Sequence, residues 1–480
     1  MDKTMWLAIL PPLITIALAI WSKKIIPSLL AGLLAGSYFL RPTLIGGFEI
    51  AVDNVIKLLS DKSNLQVLLF LYLFSGLIAL IKKSGGIKAF SDKIERYVKD
   101  EKGVFYTLWA LIPVTFIDCG FRIIGAGKIL RALAEKNKVA KERLAFMLNN
   151  TASPVVELVP IATTFVGFNV ANINQGLKIA AIKGPSAYSV LLHAIPFEFF
   201  SIVVLLVTFL SIYFQRNKSP AAGKQKQLIQ KDVKKEMSMD MAMDDEAPVI
   251  TPRLANLVIP MLTVVSLSIF FFWYFGQEKA GVNPSLSSVI SATDPNKAML
   301  VALFISIAIT TTLYYFQKYD IKKMTDHFIS GGNEIVPTLT ILTIAWSLAA
   351  VSQDLGLSSI IKQQLGGTFP AWSIPVSLFA LSSAVTYFIG EGWAAASLIM
   401  PFAISLGVSS GAAIPLCVAA VITGGTFGDT TSPVAGMANM SSNVLEADHM
   451  KYLRYASPYN FAAAGISAIL FLVVGFLMKG

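Results

Sequence analysis

The sequence has few charged residues for its length, and this scarcity limits the class of protein. Only 14% of the 480 residues are charged, whereas 55% are hydrophobic, and a soluble domain usually carries about 25% charged residues. Apolar stretches recur from residue 5 to residue 478. Many of them reach the roughly 20 residues that a helix needs to cross a bilayer. These features exclude a soluble globular protein and predict an all-α polytopic membrane protein.

The chain also lacks the patterns of disulfide frameworks and metal sites. Its two cysteines, Cys119 and Cys417, form no CxxC pair, and its three histidines are not clustered. Neither a disulfide nor a zinc site is therefore predicted. No glycine-rich phosphate loop is present either, so we predict that the protein is not an enzyme. We expect no cofactor.

The net charge of +10 is arranged as membrane topology would arrange it. Lysine and arginine cluster at the ends of apolar segments, as in Lys23-Lys24 and Lys82-Lys83, and such clusters mark the cytoplasmic side. We therefore predict membrane lipid and a small ion or solute as partners, and no nucleic acid. A homodimer is left open. The predicted location is the inner (plasma) membrane of a bacterium, with both termini outside.

The charge pattern predicts two halves of opposite orientation. Residues 216–253 carry eight Lys/Arg and six Asp/Glu without an apolar period, which is typical of a solvated linker. We predict a first transmembrane repeat at 1–215, a cytoplasmic linker at 216–253 and a second, inverted repeat at 254–480. Each repeat is expected to have about five crossings, one of them broken, plus one re-entrant hairpin.

The predicted elements follow the apolar segments and their interruptions. In the first half they are spans near 6–21, 25–40 and 65–81, a hairpin from 104 to about 131, a crossing over 144–170 broken at 150–154, and a span near 189–214. In the second half they are spans near 255–275, 297–316 and 335–352, a hairpin over 370–408 broken at 390–392, a crossing over 411–445 broken at 424–433, and a span over 456–478.

The repeat is visible in the sequence itself. Four short segments of the first half recur in the same order in the second half. The pairs begin at Ser75 and Trp346, at Phe116 and Phe388, at Thr151 and Thr430, and at Ala194 and Ala456, with offsets of 271, 272, 279 and 262. Broken helices at matching places in inverted repeats indicate the binding site of a transporter.

The breaks contain the residues that we expect to bind the transported species. Unwound backbone inside a membrane has to line a cavity or the protein interior, and intramembrane carboxylates by default mark an ion or proton path. The predicted binding residues are Asp118, Asn150, Thr151, Ser153, Glu391, Asp429, Thr430 and Ser432. Four of these, Asp118, Asp429, Thr151 and Ser432, are candidate Na⁺ ligands, since hard cations prefer oxygen. In the alternative, the hydroxyls only satisfy backbone groups freed by Pro154 and Pro433, and the carboxylates are solvated loop residues.

Three further charged residues lie near the breaks. Arg122 follows the first hairpin tip, where it could receive a substrate carboxylate or pair with Asp118, and we prefer the pairing. Glu157 lies one turn past the first break, and Glu198 lies within the last span of the first half. Each glutamate is a candidate relay or counter-ion residue, with packing against polar backbone as the alternative.

The ordered motifs resemble a known family. The run GGTFGDTTSPVAGMANMSSN is similar to the signature of the NhaC-type Na⁺/H⁺ antiporters of the ion transporter superfamily, through Gly428-Asp429, Ser432-Pro433 and Ser441-Ser442. The stretch ILTIAWSLAAVSQDLG at 341–356 is similar as well. Two positions depart from the family pattern: Ile117 replaces an aspartate at the first tip, and Gly436 falls where an acidic residue is usual. The resemblance implies a divergent member of that family.

Two hypotheses for the transported species remain open. The resemblance and the intramembrane carboxylates predict a cation/H⁺ antiporter, most simply for Na⁺, that works by alternating access. The alternative is a Na⁺- or H⁺-coupled carrier of a small organic anion or amino acid, which Arg122 and the missing acidic residue at Gly436 favour. A channel is the third alternative, although hairpins that open to opposite sides suit two alternating gates better than one pore.

Overall fold

The computed structural model describes residues 5–94, 98, 100–137, 139–182, 184–214, 249–280, 289, 293–361 and 369–478. Within these ranges the chain forms helices and no strands, which confirms the predicted all-α fold class. The helices of the first half are α1 (Leu10–Ser22), α2 (Ile25–Leu40), α3 (Leu44–Leu59), α4 (Lys62–Lys83), α5 (Gly86–Ile94), α6 (Glu101–Ala110), α7 (Ile112–Thr115), α8 (Cys119–Asn137), α9 (Lys141–Asn150), α10 (Ser153–Leu158), α11 (Thr164–Ile179), α12 (Ala187–Ala194) and α13 (Phe199–Phe214).

The second half follows a related order of long, bent and broken helices. Its helices are α14 (Ala255–Ala280), α15 (Pro295–Phe316), α16 (Ile321–Glu334), α17 (Val336–Asp354), α18 (Leu357–Ile360), α19 (Ile374–Ile389), α20 (Gly392–Ser410), α21 (Ile414–Thr431), α22 (Gly436–Val444) and α23 (His449–Leu477). In both halves, several helices directly follow an aspartate whose side chain accepts hydrogen bonds from backbone N–H groups, as Asp61 does before α4 and Asp320 before α16. Such caps satisfy N–H groups that have no partner within the helix.

The described residues contain seven helical stretches that are long and apolar enough to cross a membrane, or nine if two bent pairs are counted. This is fewer than the five crossings per repeat that the sequence predicts. The difference arises chiefly in the first half, where breaks divide the hairpin and the crossing into helices shorter than a bilayer is thick. The pair α12 and α13, which bends by 42°, matches the predicted span near 189–214.

The first helices of each half pack against the other half. Helix α16 lies along α4, and in the reciprocal arrangement α2 and α3 lie along α17. The α4–α16 crossing is close because glycines face each other there. A Cβ atom on Gly331 would lie 2.2 Å from Ala79 Cβ, and Ser75 Oγ donates a hydrogen bond of 2.6 Å to Gly331 O. Small residues at a crossing allow such close backbone approach in membranes.

The predicted linker is described only at its end. Residues 216–248 lie outside the described residues, and the last residues of the linker contact both halves. Val249 N donates to Lys83 O at 3.1 Å, and Ile250 is buried beside Tyr314 and Tyr319. The division of the chain at 216–253 stays a prediction.

The predicted crossing over 144–170 is divided differently in the structure. Helix α10 ends at Leu158, and a separate helix, α11, begins at Thr164. The second half has no helix between Ser432 and Ala435, so α10 has no helical counterpart there. The offset between the repeats drops from 279 to 262 across this region, because the first half contains more residues at this place.

The sequence analysis did not predict two amphipathic helices, α3 and α16. Each precedes a long helix of its own half, α4 or α17, and each packs against the other half's long helix. Polar residues interrupt the sequences of both helices, so neither contains a long apolar run. A search for long apolar runs does not detect amphipathic helices of this kind.

Candidate functional site

Two hairpins and two broken crossings supply the candidate site. The first hairpin consists of α6 and α7, a tip at 116–118, and α8. The second consists of α19, a tip at Gly390–Glu391, and α20. Gly390 has a φ of 82°, and a Cβ there would lie 2.7 Å from Val434 O. Only glycine fits this left-handed position without strain, so the sequence closes the second tip tightly against the α21–α22 break.

The first junction comprises Asp118, Arg122 and Thr151. Asp118 caps its own hairpin helix, because its Oδ1 accepts the N–H of Phe121 at 2.9 Å. Its Oδ2 accepts the hydroxyl of Thr164 at 3.0 Å. Both carboxylate oxygens are therefore engaged with protein donors, and the tip is tied to the start of α11.

Arg122 is fully buried in the first junction and forms no ion pair with a described carboxylate. Its Nη1 donates to Thr115 Oγ1 at 2.8 Å, and its Nη2 donates to Leu108 O at 3.2 Å and to Thr151 Oγ1 at 2.9 Å. Its Nε has no partner among the described residues. The predicted pairing with Asp118 is therefore wrong: the guanidinium reaches back to α6 and across to the first break, while Asp118 turns to its own helix.

The second junction comprises Glu391, Gly392, Asp429 and Thr430. Asp429 is 5% exposed, and its Oδ1 accepts the backbone N–H of Gly392 at 3.0 Å. The carboxylate on α21 therefore caps the N-terminus of α20, where the helix dipole favours a negative charge. Its Oδ2 accepts no hydrogen bond from a described residue, and no lysine or arginine within the described ranges pairs with it.

Glu391 lies at the second tip, next to Asp429, and its side chain is exposed. It makes no capping hydrogen bond to α20. Because a charged side chain is costly in hydrocarbon, an exposed carboxylate at this tip has to face water rather than lipid. The second junction therefore combines one buried carboxylate with one that is open to solution.

The two breaks are joined back to back by amide side chains. Asn150 Nδ2 donates to Asn460 Oδ1 at 2.8 Å and to Thr208 Oγ1 at 3.3 Å. Asn460 Nδ2 and Asn149 Nδ2 donate to Thr430 O at 3.0 and 3.3 Å. Asn149 Nδ2 also reaches the hydroxyl of Tyr452 at 2.7 Å. The carbonyl of Thr430 at the second break is thus satisfied by Asn149 from the opposite half and by Asn460 from its own half.

The hydroxyls at the breaks are largely occupied by backbone. Thr151 Oγ1 donates to Met147 O at 2.8 Å, Thr430 Oγ1 donates to Thr426 O at 2.9 Å, and Ser432 Oγ donates to Tyr387 O at 2.6 Å. Ser153 is buried, and its hydroxyl has no partner among the described residues. The first three hydroxyls thus donate to backbone carbonyls, as in the alternative role, although Met147 O also accepts the N–H of Thr151 and was not freed by Pro154.

The first tip and the second junction lie close together. Cys119, the first residue of α8, is within electrostatic range of both Asp118 and Asp429, and Asp429 is within range of Glu391. Glu157 on α10 is within range of Asp429 and of Glu198. The structure thus brings the predicted carboxylates into one region, where Arg122 is the buried cation of the first junction.

Several residues of this region were not predicted. Thr164, Ser201 and Thr426 each donate a hydroxyl to a buried carboxylate, and Asn149 and Tyr452 join the breaks. One signal was available for Asn460, because it occupies the repeat position of Glu198. The three hydroxyl residues lie in ordinary apolar helix sequence, and only the packing of helices reveals them.

The family of this chain is shown by its sequence. Residues 155–476 match the Na⁺/H⁺ antiporter family. A Haemophilus influenzae protein of uncharacterised function is 26% identical over 497 aligned residues, covering 100% of this chain and 92% of that protein. The malate-2H⁺/Na⁺-lactate antiporter of Bacillus subtilis is 27% identical over 183 residues, which is 38% of each protein.

Solved structures of transporters share the fold. The Neisseria gonorrhoeae protein MtrF, described among a class of antimetabolite efflux pumps, aligns with a TM-score of 0.54 at 12% identity, over 91% of this chain and 85% of its own. The Alcanivorax borkumensis YdaH transporter, described as having an unusual topology, aligns with a TM-score of 0.51 at 15% identity, over 90% and 89%. At such low identity the likeness concerns the fold alone.

Proposed function

This chain belongs to the Na⁺/H⁺ antiporter family and is a multi-pass secondary transporter, and we propose that it exchanges Na⁺ for H⁺ by alternating access. The observation that carries the proposal is Asp429. It is a buried carboxylate at the meeting point of a hairpin tip and a broken crossing. One of its oxygens accepts no hydrogen bond from a described residue, and no described basic residue pairs with it. A monovalent cation or a proton would therefore supply the missing contact and neutralise the charge.

The neighbouring groups support a cation at the second junction. Glu391 adds a second carboxylate at the open side, and oxygen donors are the ligands that hard cations prefer. In the first junction the equivalent space is filled from within the protein, because the guanidinium of Arg122 contacts the Thr151 hydroxyl. A transported cation therefore finds an unneutralised site only in the second junction.

Proton movement in proteoliposomes tests the proposal. Purified protein is reconstituted with a trapped pH-sensitive dye and given pulses of Na⁺, K⁺ or Li⁺. Wild type should respond to Na⁺, and Asp429→Asn should lower the rate at least about tenfold, since a charged hydrogen-bonding partner is worth about 1.5–3 kcal/mol. The amide oxygen of the variant can still accept the Gly392 N–H, which keeps the cap. Glu49→Gln removes an exposed carboxylate on α3 and serves as the matched control.

Two outcomes would overturn this function. The first is a folded, reconstituted protein that moves no protons on any cation pulse. The second is an unchanged rate in Asp429→Asn. Flux that saturates with Na⁺ concentration supports alternating access, whereas a non-saturating ohmic current would indicate a channel.

Arg122 favours a second candidate, coupled exchange of a small carboxylate. The partial relative from Bacillus subtilis is a malate-2H⁺/Na⁺-lactate antiporter, and malate and lactate are carboxylates. A guanidinium is a typical partner of a carboxylate. Uptake of radiolabelled mono- and dicarboxylates by the same vesicles, driven by a Na⁺ or pH gradient, checks this candidate. Uptake that is lost in Arg122→Met but kept in Arg41→Met, an exposed arginine, would favour it over simple cation exchange.

The location and orientation are also proposed. We place the chain in the inner membrane of a bacterium, with residues 216–253 in the cytoplasm and both termini outside; a homodimer stays a prediction. Cys119 and Cys417 are buried, so a thiol reagent should label only the cysteine that is introduced in each variant. In intact cells an impermeant thiol reagent should label Ser60→Cys, before α4, and spare Lys322→Cys, in α16. The reverse pattern would invert the topology.

A further inference from the structure

Two buried glutamates lie apart from the second junction and are not used by the proposed cation site. Glu157 is on the short helix α10 and is 6% exposed, and Glu198 is fully buried where α12 and α13 meet at their 42° bend. Helix α10 packs against α13, and the two side chains are within electrostatic range of each other. The carboxyl pair therefore lies within the first half, where α10 packs against α13.

Glu157 is held by hydroxyl donors from two elements. Its Oε2 accepts a hydrogen bond of 2.9 Å from Ser201 Oγ on α13 and a second from Thr426 Oγ1 on α21. Thr426 precedes Asp429 by three residues, so both side chains lie on about the same face of α21. One helix thus contacts the carboxyl pair and also supplies the buried carboxylate of the second junction.

The side chain of Glu198 has no hydrogen-bond partner among the described residues. It is 0% exposed, and neither Oε1 nor Oε2 contacts a donor among the described residues. The ionisable groups that face the pair are the two glutamates themselves and Asp429 from α21. Helix α13 presents Ser201. The last turn of α12 carries His193, whose side chain is exposed and whose Nδ1 contacts Ser189 O. No described lysine or arginine forms an ion pair with either glutamate.

Without a cation nearby, two ionised carboxylates are strongly disfavoured in these surroundings. A buried carboxylate without a donor carries a large desolvation penalty, and two adjacent carboxylates repel each other, so one retains a proton. An unpartnered, fully buried oxygen pair on Glu198 is suited to such a proton, because a protonated carboxyl needs less solvation than an ionised one.

We propose that the Glu157–Glu198 pair is the proton-binding site of this transporter and is separate from the cation site at Asp429. The proposal rests on the proposed exchange of Na⁺ for H⁺. When Na⁺ enters the second junction, the carboxyl O–H bond of the pair breaks, the proton leaves to the water on that side, and both glutamates become carboxylates. When Na⁺ leaves, one proton returns. One cation replaces one proton, so the buried charge is conserved.

The second half contains no equivalent pair. The repeat position of Glu198 is Asn460, a neutral side chain whose amide is occupied by Asn150 and Thr430. At the offset of 279 that relates the two breaks, Glu157 corresponds to Gly436, which has no side chain. The proton site therefore belongs to the first half and the cation site to the second half, and α21 contacts both.

Separate measurement of cation exchange and proton coupling tests the proposal. Equilibrium ²²Na⁺/Na⁺ exchange needs the cation site alone, whereas Na⁺-driven acidification needs the proton site as well. Glu198→Gln should lower Na⁺-driven proton movement by about 100-fold, in the range of a lost acid–base group, and change ²²Na⁺ exchange less than about twofold. Asp429→Asn should lose both activities, and Glu49→Gln neither. Equal loss of both activities in a folded Glu198→Gln protein, or retention of full coupling, would overturn the proposal.

An infrared measurement keeps the proposal testable without transport. Wild-type protein should show the C=O stretch of a protonated carboxyl at neutral pH, and that band should diminish when Na⁺ is added. The band should be absent in Glu198→Gln, because the remaining Glu157 has two hydroxyl donors and can ionise, while Asp429→Asn should keep it but lose its response to Na⁺. A band that persists unchanged in Glu198→Gln would place the proton elsewhere. If wild type moves no cation yet shows the band, the proposed function fails and the proton-binding pair remains.

Discussion

The two broken crossings of this transporter share the sequence Thr-x-Ser-Pro, yet only the first junction contains a basic residue. At the first junction, Asp118 is engaged by its own helix and by Thr164, and the buried guanidinium of Arg122 contacts Thr151. At the second junction, Asp429 keeps an oxygen without a described donor and has no basic partner. The two halves thus share a backbone arrangement, but the first junction contains the protein's own cation, Arg122. At the second junction no described basic residue neutralises Asp429.

The difference shows which features of a repeat carry transport. The prolines, the small polar residues and the hairpin glycines recur because both halves need helices that end inside the membrane. Both hairpin tips carry a carboxylate, Asp118 or Glu391, but Arg122 and Asp429 have no charged counterpart in the other half. The proposed cation path needs only one unneutralised carboxylate. A symmetric fold can therefore contain an asymmetric site, and exchanging or removing charges in the two junctions tests the asymmetry directly.

The largest expected effect concerns stabilisation by Na⁺. At about 100 times its Kd, a ligand that binds only the folded state adds about 2.7 kcal/mol to the free energy of unfolding. Asp429→Asn should abolish this gain, whereas Asp118→Asn should keep it, because Asp118 already has protein donors. Thermal unfolding in detergent, with Na⁺ replaced by choline as the control, measures both. A Na⁺ gain that vanishes in Asp118→Asn and persists in Asp429→Asn would reverse the assignment of the two junctions.

The next effect is expected at Arg122. Its acceptors each have another bond, since Thr115 Oγ1 donates to Leu111 O and Thr151 Oγ1 donates to Met147 O. Arg122→Met therefore leaves no buried donor unpaired and removes a buried charge, so the free energy of unfolding should stay constant or rise by about 1–2 kcal/mol. The Na⁺ gain should persist. Chemical unfolding of the detergent-solubilised protein checks the first point, and a loss above about 3 kcal/mol would show that Arg122 is a structural tie.

A smaller effect is expected at Glu391, the exposed member of the second junction. Glu391→Gln should raise the Na⁺ concentration for half-maximal stabilisation by about twofold to fivefold, because an exposed charge contributes only about 0.2–1 kcal/mol. The difference from wild type should shrink at high choline chloride, since salt screens exposed charges. Titration of Na⁺ at low and high ionic strength measures it. An effect as large as that of Asp429→Asn would mean that Glu391 is a direct and desolvated ligand.

The sequence predicted the fold and the region of the site, but not the contacts inside it. Repeated Thr-x-Ser-Pro breaks and intramembrane carboxylates are local signals, so Asp118, Glu391 and Asp429 could be found from the letters. The partner of Arg122 could not be, because the choice between Asp118 and Thr151 depends on how α8 packs against α6 and α9. The amphipathic helices α3 and α16 escaped notice because a search for apolar runs passes over mixed polarity.

The contacts of Glu157 show the same limit. Thr426 is distant in sequence and lies in an apolar helix, so no spacing rule links it to Glu157. The same holds for Asn149 and Asn460, which join the breaks from opposite halves. Residue periodicity reports which face of a helix is polar, whereas pairing between helices is decided by packing in three dimensions.

The smallest effect is expected at the surface pair of Asp61 and Lys178, which provides a baseline for the buried carboxylates. Partial burial acts to raise the pKa of Asp61, but the hydrogen bond from Lys178 and the backbone N–H groups of Asn64 and Ser63 bring that pKa below its ordinary value. The pair therefore stabilises the fold at pH values above about 4, the ordinary pKa of an aspartate. This contribution is lost as the pH falls through the lowered pKa of the folded state.

Asp61→Asn should accordingly lower the free energy of unfolding by less than about 1 kcal/mol at neutral pH, because the two side chains are 35% and 45% exposed and solvent screens the pair. The difference from wild type should vanish at acidic pH, and the Na⁺ gain should be unchanged. Thermal unfolding across a pH series measures both. A loss of the Na⁺ gain in this variant would show that Na⁺ stabilises through general surface charge, and the contrast between the two junctions would then lose its basis.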